Sequence, residues 1–292
     1  MLVKTNAEQA KLNSIEIACK NPNDTVPGTF NFAYDLKAVK DSIFIITTEG
    51  EARYLPPNLH LFNSYQSFPA PDYTKLVTSS GKEVKRVPTY GYSRGWVGTA
   101  TVGNLKPRFL IDEKTLNAVP GKLQVDMKAI EARGVDTINM LTHIRNMHAF
   151  PVDGNDMVFD AEVKGEGIYN LEPCHSLRIR LFFENNNIEI SLHEQTCQRF
   201  SYMQVSEKVI DGRYNDLSAF ATGLKEWQKV RIVAKNMRAK VFLNGKQVYE
   251  TTYEKKLGNM RGIGLKGENV NAALRSIRFG NNAGKELYAR EF

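Results

Sequence analysis

The fold of this chain is decided by one stretch, residues 177–193, which reads LRIRLFFENNNIEISLH. Its apolar side chains recur at every second position on both sides of an asparagine-rich centre, at Leu177, Ile179, Leu181, Ile188, Ile190 and Leu192. A period of two is typical of strands that bury one face. Asn185 and Asn186 separate the two runs, and Asn tolerates the positive φ of a tight turn. The stretch therefore predicts an antiparallel β-hairpin.

The predicted turn also fixes the register of the hairpin. A two-residue loop at 185–186 places Phe183 opposite Ile188 and brings the two apolar faces together. The same register, extended outward, pairs Cys174 with Cys197. Opposed Cα atoms lie about 4.5–5.5 Å apart, which overlaps disulfide geometry. The pair is predicted as a disulfide or as adjacent thiols, the alternative being two unrelated buried cysteines, with Cys19 left over.

Strand patterns recur along the rest of the chain and favour an all-β fold. Two further hairpins are predicted, one around Ser79–Lys82 and one around Asn244-Gly245, and Asn-Gly is the strongest short hairpin signal. The only helix predicted near the middle spans Leu123–Arg133. Residues 95–107 are rich in Gly and small side chains and are interpreted as a connection. The chain is thus predicted to form an immunoglobulin-like β-sandwich over 1–107 and a second sandwich over 108–292.

Composition excludes several classes of protein. The chain has 292 residues and a net charge of +7, but its basic residues are dispersed and mixed with acidic ones, which argues against a nucleic-acid groove. No apolar run approaches the roughly 18 residues of a membrane span. Three cysteines are too few for a small disulfide scaffold. The first residues contain no apolar signal segment, so the protein is either cytoplasmic or lacks an export segment here.

Two parts of the chain resemble known families. The segments Trp227–Ile232, Val241–Val248 and Gly262–Gly264 are similar to the concanavalin A-like lectin/glucanase jelly roll, over roughly residues 108–280. That fold serves lectins, glycosidases and structural modules alike. Residues from Phe32 to Trp96 resemble the PKD-like, immunoglobulin-fold module that precedes such jelly rolls in Bacteroidota envelope proteins. The resemblance implies an extracytoplasmic place in the cell envelope (periplasm or cell surface), with membrane attachment only through a segment absent from this chain.

One motif bears on glycoside cleavage. The jelly-roll glucanases carry Glu-Ile-Asp-x-x-Glu on one strand, and this chain has Glu189-Ile190-Ser191-Leu192-His193-Glu194. By this resemblance Glu189 corresponds to the nucleophile and Glu194 to the acid. Ser191 replaces the central Asp, and strand alternation turns Glu194 to the face opposite Glu189 unless a bulge intervenes. Both features count against catalysis.

The second face of the same hairpin favours sugar binding. It carries planar hydrogen-bonding groups beside an aromatic ring, a combination suited to pyranoses, at Arg178, Arg180, Phe182, Glu189 and His193. The alternative is a solvated face stabilised by Arg–Glu pairs across the strands.

A metal site has one candidate. Asp153, Asn155 and Asp156 supply oxygen atoms in one loop, and domains of the resembled family often hold calcium. The same residues also suit an ordinary turn. No histidine has a partner at a metal-like spacing, so no cofactor other than calcium is expected.

These observations lead to a functional hypothesis. We expect non-catalytic binding of a glycan or polysaccharide at a bacterial cell envelope. The alternatives are a glycoside hydrolase of the jelly-roll glucanase type and a structural module that binds another envelope protein. A nucleic-acid partner is not expected.

Overall fold

The computed structural model describes residues 9–37, 39–46, 52–66, 69, 71–102, 109–116, 119–132, 134, 140–166 and 174–292. The chain divides into two compact units, Met1–Arg94 and Gly95–Phe292. This division lies earlier than the predicted boundary at residue 107, which is outside the described residues. The physical reason is the strand Trp96–Val102, which pairs along its whole length with Met140–Asn146 of the second unit.

The first unit is a β-sandwich. A helix, α1, is described over residues 9–13. The strands that follow are β1 Glu16–Cys19, β2 Asn23–Thr25, β3 Gly28–Asp35, β4 Ile43–Ile46, β5 Ala52–Tyr54, β6 Leu61–Gln66, β7 Pro71–Thr78 and β8 Glu83–Tyr92. They form a three-stranded sheet in the order β1-β3-β6 and a five-stranded sheet in the order β2-β8-β7-β4-β5. A buried cluster that includes Phe30, Phe32, Ile43 and Leu76 joins residues of both sheets.

The second unit contains the remaining strands and helices. Its strands are β9 Trp96–Val102, β10 Phe109–Ile111, β11 Leu123–Gln124, β12 Met140–Asn146, β13 Asp156–Glu166, β14 Ser176–Phe183, β15 Asn187–His193, β16 Tyr202–Val205, β17 Lys208–Asp211, β18 Gln228–Lys235, β19 Arg238–Leu243, β20 Lys246–Thr252, β21 Met260–Glu268, β22 Asn271–Gly280 and β23 Glu286–Glu291. Its helices are α2 Glu113–Leu116, α3 Met127–Glu131 and two 3-10 turns, Gln195–Phe200 and Ser218–Phe220.

Two antiparallel sheets build this unit. The first has eight strands in the order β10-β9-β12-β21-β14-β15-β16-β17, and the second has seven, β11-β22-β13-β18-β19-β20 with β23 paired to β22. Alternate residues of both sheets enter one buried cluster, for example Ile179 and Ile190 from the first and Phe159 and Ile232 from the second. Burying one face of each sheet is the main stabilising term of such a sandwich. The predicted all-β fold class is confirmed.

Both short hairpins predicted from turn residues are present. Strands β7 and β8 pair around Ser79–Lys82, and β19 and β20 pair around Asn244-Gly245. Asn244 has φ 51° and Gly245 has φ 83°, as a type I′ turn requires. The predicted helix Leu123–Arg133 is shorter than expected. Leu123–Gln124 pairs with β22 instead, and α3 begins after Asp126, whose side chain accepts a hydrogen bond from Ala129 N. No helix within the described ranges is long and apolar enough to cross a membrane.

The register predicted for the β14–β15 hairpin is wrong by two residues. Phe182 is the last residue of β14 that pairs with β15, and it lies opposite Asn187. Hydrogen bonds to the segment just before β21 cause the shift. The backbone N–H of Glu184 donates to the carbonyl of Asn259, and the backbone N–H of Asn185 donates to the carbonyl of Leu257. A shift of two keeps every side chain on its predicted face. It does change which residues stand opposite each other.

Candidate functional site

The outer face of the eight-stranded sheet carries a group of charged side chains. Paired residues of an antiparallel sheet point to the same side, and two rows of them cross β12, β21, β14 and β15: His143, Lys266, Arg178 and Ser191, then Arg145, Gly264, Arg180 and Glu189. We call this surface the basic face and define it by these eight residues together with Glu268 and Tyr202. The neighbouring residues in sequence, such as Ile144, Ile179 and Leu265, enter the core.

Glu189 ends the second row of the basic face, beside Arg180. Its side chain is only 4% exposed, and Arg180 Nε lies 2.6 Å from its Oε2 while Arg178 Nη1 lies 3.5 Å from its Oε1. The contact with Arg180 is an ion pair rather than an aligned hydrogen bond, since the N–H of Nε does not point at an acceptor. The Tyr202 hydroxyl donates to Glu189 Oε2 over 3.3 Å. Glu189 thus holds two guanidinium groups and a phenol in place.

Tyr202 remains a neutral donor. Burial, and next the negative charge of Glu189, raise the pKa of Tyr202 to about 12. Its ring also lies under the guanidinium of Arg178, at 5.4 Å from the ring centroid. This cation–π contact adds to the positioning of Arg178.

Glu268 anchors the other end of Arg178. Its Oε2 accepts hydrogen bonds from Arg178 Nη2 and from the Ser176 hydroxyl, both over 2.8 Å, and its Oε1 accepts one from Lys266 Nζ. Burial alone would raise the pKa of Glu268, but the positive charges of Arg178 and Lys266 outweigh it and lower the pKa below its ordinary value. Glu268 is therefore a carboxylate at neutral pH.

His143 is neutral in this surrounding. Burial first, and then the charges of four cations led by Arg145 and Lys266, hold the pKa of His143 well below 6.5. Arg145 Nη2 lies 2.7 Å from His143 Nδ1. Because a guanidinium only donates, Nδ1 accepts this bond and the ring proton is on Nε2.

A glycine interrupts the second row of the basic face. Gly264 stands between Arg145 and Arg180, and a Cβ built on it would lie 3.2 Å from Phe182 Cε2 and 3.5 Å from Arg145 Cγ. The space above Gly264 is taken by the Phe182 ring and by the aliphatic part of Arg145. The side chains of Arg178, Arg180, Lys266 and Glu268 on this face remain partly exposed.

The predicted sugar-binding residues share a face but differ in exposure. Arg178 and Arg180 are partly exposed, whereas Phe182, Glu189 and His193 are buried. Phe182 supports Arg180, whose guanidinium lies 5.0 Å from its ring centroid. The two ring nitrogens of His193 face the backbone carbonyls of Glu194 and Leu217, at 2.8 and 3.1 Å. Phe182 and His193 therefore offer no surface for ring stacking or direct contact in this structure.

The two candidate catalytic carboxylates do not form a pair. Glu189 projects into the basic face, while Glu194 follows the end of β15 and precedes the 3-10 turn Gln195–Phe200. Glu194 Oε2 lies 2.8 Å from His175 Nδ1. Each carboxylate thus has its own protein partner.

The corrected register also changes the predicted pairing of Cys174 with Cys197. Cys174 precedes β14, and Cys197 is buried in the 3-10 turn Gln195–Phe200, so strand pairing does not set them opposite each other. Cys19, Cys174 and Cys197 are all present as thiols. No disulfide joins Cys174 and Cys197, and their adjacency as thiols stays a prediction.

The loop proposed for calcium is held by protein hydrogen bonds. Asp153 Oδ1 accepts from the backbone and side-chain nitrogens of Asn155, at 2.9 and 3.0 Å, and Asn155 Oδ1 accepts from Leu257 N. Asp156 Oδ1 accepts from Asn282 Nδ2 at 2.7 Å. Within the described ranges, no group of three or more His, Cys, Asp or Glu side chains is placed to hold a metal ion. The same contacts occur in an ordinary turn, and calcium binding at this loop stays a prediction.

Sequence reasoning missed most of the basic face. On β12, Ile144 separates His143 from Arg145, and on β21 Leu265 precedes Lys266, but the other neighbours are polar or glycine and the strand signal is weak. The sequence analysis did not predict the order of the strands in the sheet. Strand β21 lies between β12 and β14, although it follows β14 by more than 75 residues in the chain.

Comparison with known proteins gives only weak similarity. No family model matches the chain, and no curated protein does. Among solved structures, the chain is similar to the carbohydrate-binding module CBM66 from Bacillus subtilis, with 9% identity, TM-score 0.35 and coverage of 50% of this chain and 84% of that one. It is similar to the Emp47p carbohydrate recognition domain, with 11% identity, a TM-score of 0.39 and coverage of 64% of this chain and 89% of that one. It is also similar to the alginate lyase AlyC3, with 9% identity, a TM-score of 0.39 and coverage of 66% of this chain and 90% of that one. The function proposed below rests on the side chains of the basic face.

Proposed function

We propose that this chain binds carbohydrate through the basic face and does not cleave it. The observation that carries the proposal is the set of fixed, partly exposed planar groups on the basic face. Arg178 and Arg180 are held in position by Glu189, and Arg178 also by Glu268. Guanidinium and carboxylate groups fixed in this way bond sugar hydroxyls in defined directions, and their fixed rotamers reduce the entropy lost on binding.

Binding is favoured over glycoside cleavage by the state of the carboxylates. A glycosidase needs one carboxyl group with a raised pKa as its acid and a second as nucleophile or base. The pKa of Glu268 is lowered, since the attraction of Arg178 and Lys266 exceeds the effect of burial. Glu189 is committed to Arg178, Arg180 and Tyr202. Neither group is suited to donate a proton to a leaving group.

The proposal is tested with a matched pair of variants. Arg180→Gln removes a cation from the basic face, and Arg231→Gln makes the same change on the outer face of the seven-stranded sheet, where Arg231 pairs with Asp160 at 2.7 Å. A panel of oligosaccharides is screened by isothermal titration calorimetry with the unmodified chain. We expect at least one ligand, about tenfold weaker binding by Arg180→Gln, and unchanged binding by Arg231→Gln.

Two results would contradict the proposal. One is a broad panel in which no saccharide binds the folded chain, which would favour the protein-interaction module. The other is equal loss of affinity in both variants. Thermal unfolding of each variant shows whether it is folded. If Arg180→Gln does not fold, Lys266→Gln serves as a second variant of the basic face.

The proposal extends to the place of action. We infer an extracytoplasmic site at a bacterial cell envelope, with the first unit as a PKD-like module, and this is supported by the sequence resemblance alone. Another envelope protein remains the alternative partner. Cells of the native organism are fractionated, and an antibody to this chain shows which fraction contains the protein. This experiment tests the proposed localisation. Detection in the cytoplasmic fraction alone would contradict it.

A further inference from the structure

Strand β6 forms one edge of the three-stranded sheet in the first unit. Within the described ranges it pairs with β3 alone, in one continuous antiparallel register. The backbone N–H of Tyr34 donates to the carbonyl of His60 at the start of this ladder, which identifies the two as a hydrogen-bonded pair. Hydrogen-bonded pairs alternate along an antiparallel ladder. The direction of every backbone group along β6 therefore follows from this one bond.

The alternation leaves every second residue of β6 with its backbone groups on the open side. The N–H and C=O groups of Phe62 and Ser64 point towards β3, whereas those of Leu61, Asn63 and Tyr65 point away from it. Among the residues that the structure describes, no strand pairs with β6 on that side. An open edge with a row of such groups is a template for another strand.

Strand β6 lacks the protection that exposed edges commonly have. Proteins usually guard an edge strand with charged side chains, proline or a β-bulge. The strand Leu61–Gln66 reads LFNSYQ, without charge or proline, and its ladder with β3 contains no bulge. The other described edge strands of four or more residues, β1, β17, β20 and β23, all carry charged side chains. The edge of β6 is therefore the one best suited to pairing with a further strand.

The residues with open backbone groups also have exposed side chains. Leu61 is 62% and Tyr65 is 60% exposed, and Asn63 between them is exposed as well. The intervening Ser64 and the final Gln66 are buried. Their partners on the same face of β3 are small or uncharged, namely Thr29, Asn31 and Ala33. A strand that pairs with this edge thus covers a neutral surface with two large apolar side chains.

A second copy of β6 fits this edge about a two-fold axis. An antiparallel pair centred on Asn63 sets Leu61 of one copy beside Tyr65 of the other, and Asn63 beside its own counterpart. The residues whose backbone groups point outward then face each other, so both copies form hydrogen-bonded pairs. Aliphatic–aromatic pairs across strands are favourable. No like charges meet, because the strand carries none.

We propose that the chain self-associates through β6, in an antiparallel two-fold pairing centred on Asn63 that joins the three-stranded sheets of two first units into one sheet of six strands. This inference does not depend on the proposed carbohydrate binding. One pair of edge strands covers less than the roughly 1,200–2,000 Å² of a stable interface, so the dimer is weak, with a dissociation constant on the order of 100 µM.

The first measurement is the mass of the full chain in solution. Sedimentation velocity is run from about 5 µM to about 500 µM, and we expect the weight-average mass to rise from that of one chain towards that of two. Hydrogen exchange at the two concentrations locates the contact. The amide protons of Leu61, Asn63 and Tyr65 should exchange about threefold more slowly at the higher concentration, because pairing bonds them.

Charges at position 63 test the two-fold register. In Asn63→Lys, and likewise in Asn63→Asp, two like charges face each other across the axis, which disfavours pairing. We expect each variant alone to associate at least about tenfold more weakly at about 50 mM salt, and an equimolar mixture of the two to associate as well as the unmodified chain.

A matched control places the same charge on another edge strand. Val209 is 60% exposed on β17, an edge of the eight-stranded sheet in the second unit. Val209→Lys should self-associate like the unmodified chain. Thermal unfolding shows whether each variant is folded. If Asn63→Lys is not, Asn63→Pro is the second variant, because it removes an N–H that points away from β3 and should weaken association to a similar extent.

Three results would overturn the proposal. One is a chain that stays monomeric up to about 500 µM, which would leave the edge to a strand of another protein. The second is a dimer whose stability is unchanged in the folded Asn63→Lys variant, or reduced equally by Val209→Lys. The third is a mixture of Asn63→Lys and Asn63→Asp that associates no better than either variant alone.

Discussion

Arg180 stands directly opposite Glu189 in the β14–β15 pair, and its Nε lies 2.6 Å from Glu189 Oε2. The two side chains meet because Phe182 pairs with Asn187, whereas a two-residue turn at 185–186 would have set Arg180 opposite Ser191. A second arginine, Arg178, approaches the other oxygen of Glu189. One buried carboxylate thus organises two of the cations on which the proposed binding depends.

Replacing this carboxylate should destabilise the second unit. Glu189→Gln keeps the shape of the side chain but removes the charge that compensates Arg178 and Arg180. Loss of one partner of a buried ion pair leaves its cations uncompensated, and we expect a fall of about 3 kcal/mol in the free energy of unfolding. Urea denaturation measures it. Glu291→Gln is the control, because Glu291 is 75% exposed and its pair with Arg278 contributes below about 1 kcal/mol. Equal losses in the two variants would contradict the role of Glu189.

Stability should depend on pH through His143. The folded chain holds the pKa of His143 well below 6.5, chiefly by burial and then by the surrounding cations, while the unfolded chain binds a proton near pH 6.5. The unfolded state therefore binds more protons as the pH falls below about 6.5, and the free energy of unfolding decreases. We expect the thermal midpoint to fall between about pH 7 and pH 5, and to fall less in His143→Gln, whose amide oxygen can still accept from Arg145.

The comparison between the unmodified protein and His143→Gln separates the effect of His143 from that of other groups that titrate in this range. His148 also has a pKa lowered by burial, and it is present in both chains. An identical pH dependence in the unmodified chain and in His143→Gln would show that His143 is protonated alike in the folded and unfolded states.

Calcium should not stabilise the loop at Asp153. Asp153→Ala removes an acceptor of two hydrogen bonds from Asn155, and we expect a loss of about 1 kcal/mol in the free energy of unfolding. Because those bonds do not involve a metal, the loss should be equal in millimolar calcium and in EDTA. Thermal unfolding under both conditions measures it. A calcium-dependent increase in the midpoint of the unmodified chain that Asp153→Ala abolishes would show a metal site.

Adding a side chain at Gly264 should weaken ligand binding, because it displaces the ring on which Arg180 rests. Gly264→Ala places a Cβ 3.2 Å from Phe182 Cε2, so the Phe182 ring that supports Arg180 must shift slightly, while Arg145 Cγ at 3.5 Å stays in ordinary contact. We expect affinity to fall about tenfold, which corresponds to ~1.4 kcal/mol of binding free energy, with a small loss of stability. Gly223→Ala is the matched control, since nothing lies within 4 Å of its added Cβ. Unchanged affinity in a folded Gly264→Ala variant would place the ligand elsewhere.

The alternation of side chains along single strands determined much of this structure. Ile179, Ile190 and Ile232 all enter the core as their period-two patterns predict, and Asn244-Gly245 forms its hairpin because few residue pairs accept two positive φ angles. The face on which Arg178, Arg180 and Glu189 lie followed from the same local rule. These features depend on residues close together in the chain.

Only the tertiary structure decided which charged side chains meet. The hydrogen bonds that Glu184 and Asn185 donate to Asn259 and Leu257 shift the hairpin by two positions, and no local signal encodes them. The insertion of β21 between β12 and β14 brings the residues of β12 and β21, among them Lys266, beside those of β14. Pairing between strands far apart in sequence depends on how two whole sheets bury their apolar faces. The charge of the basic face is therefore a property of the assembled sheet, although each of its residues was visible in the sequence.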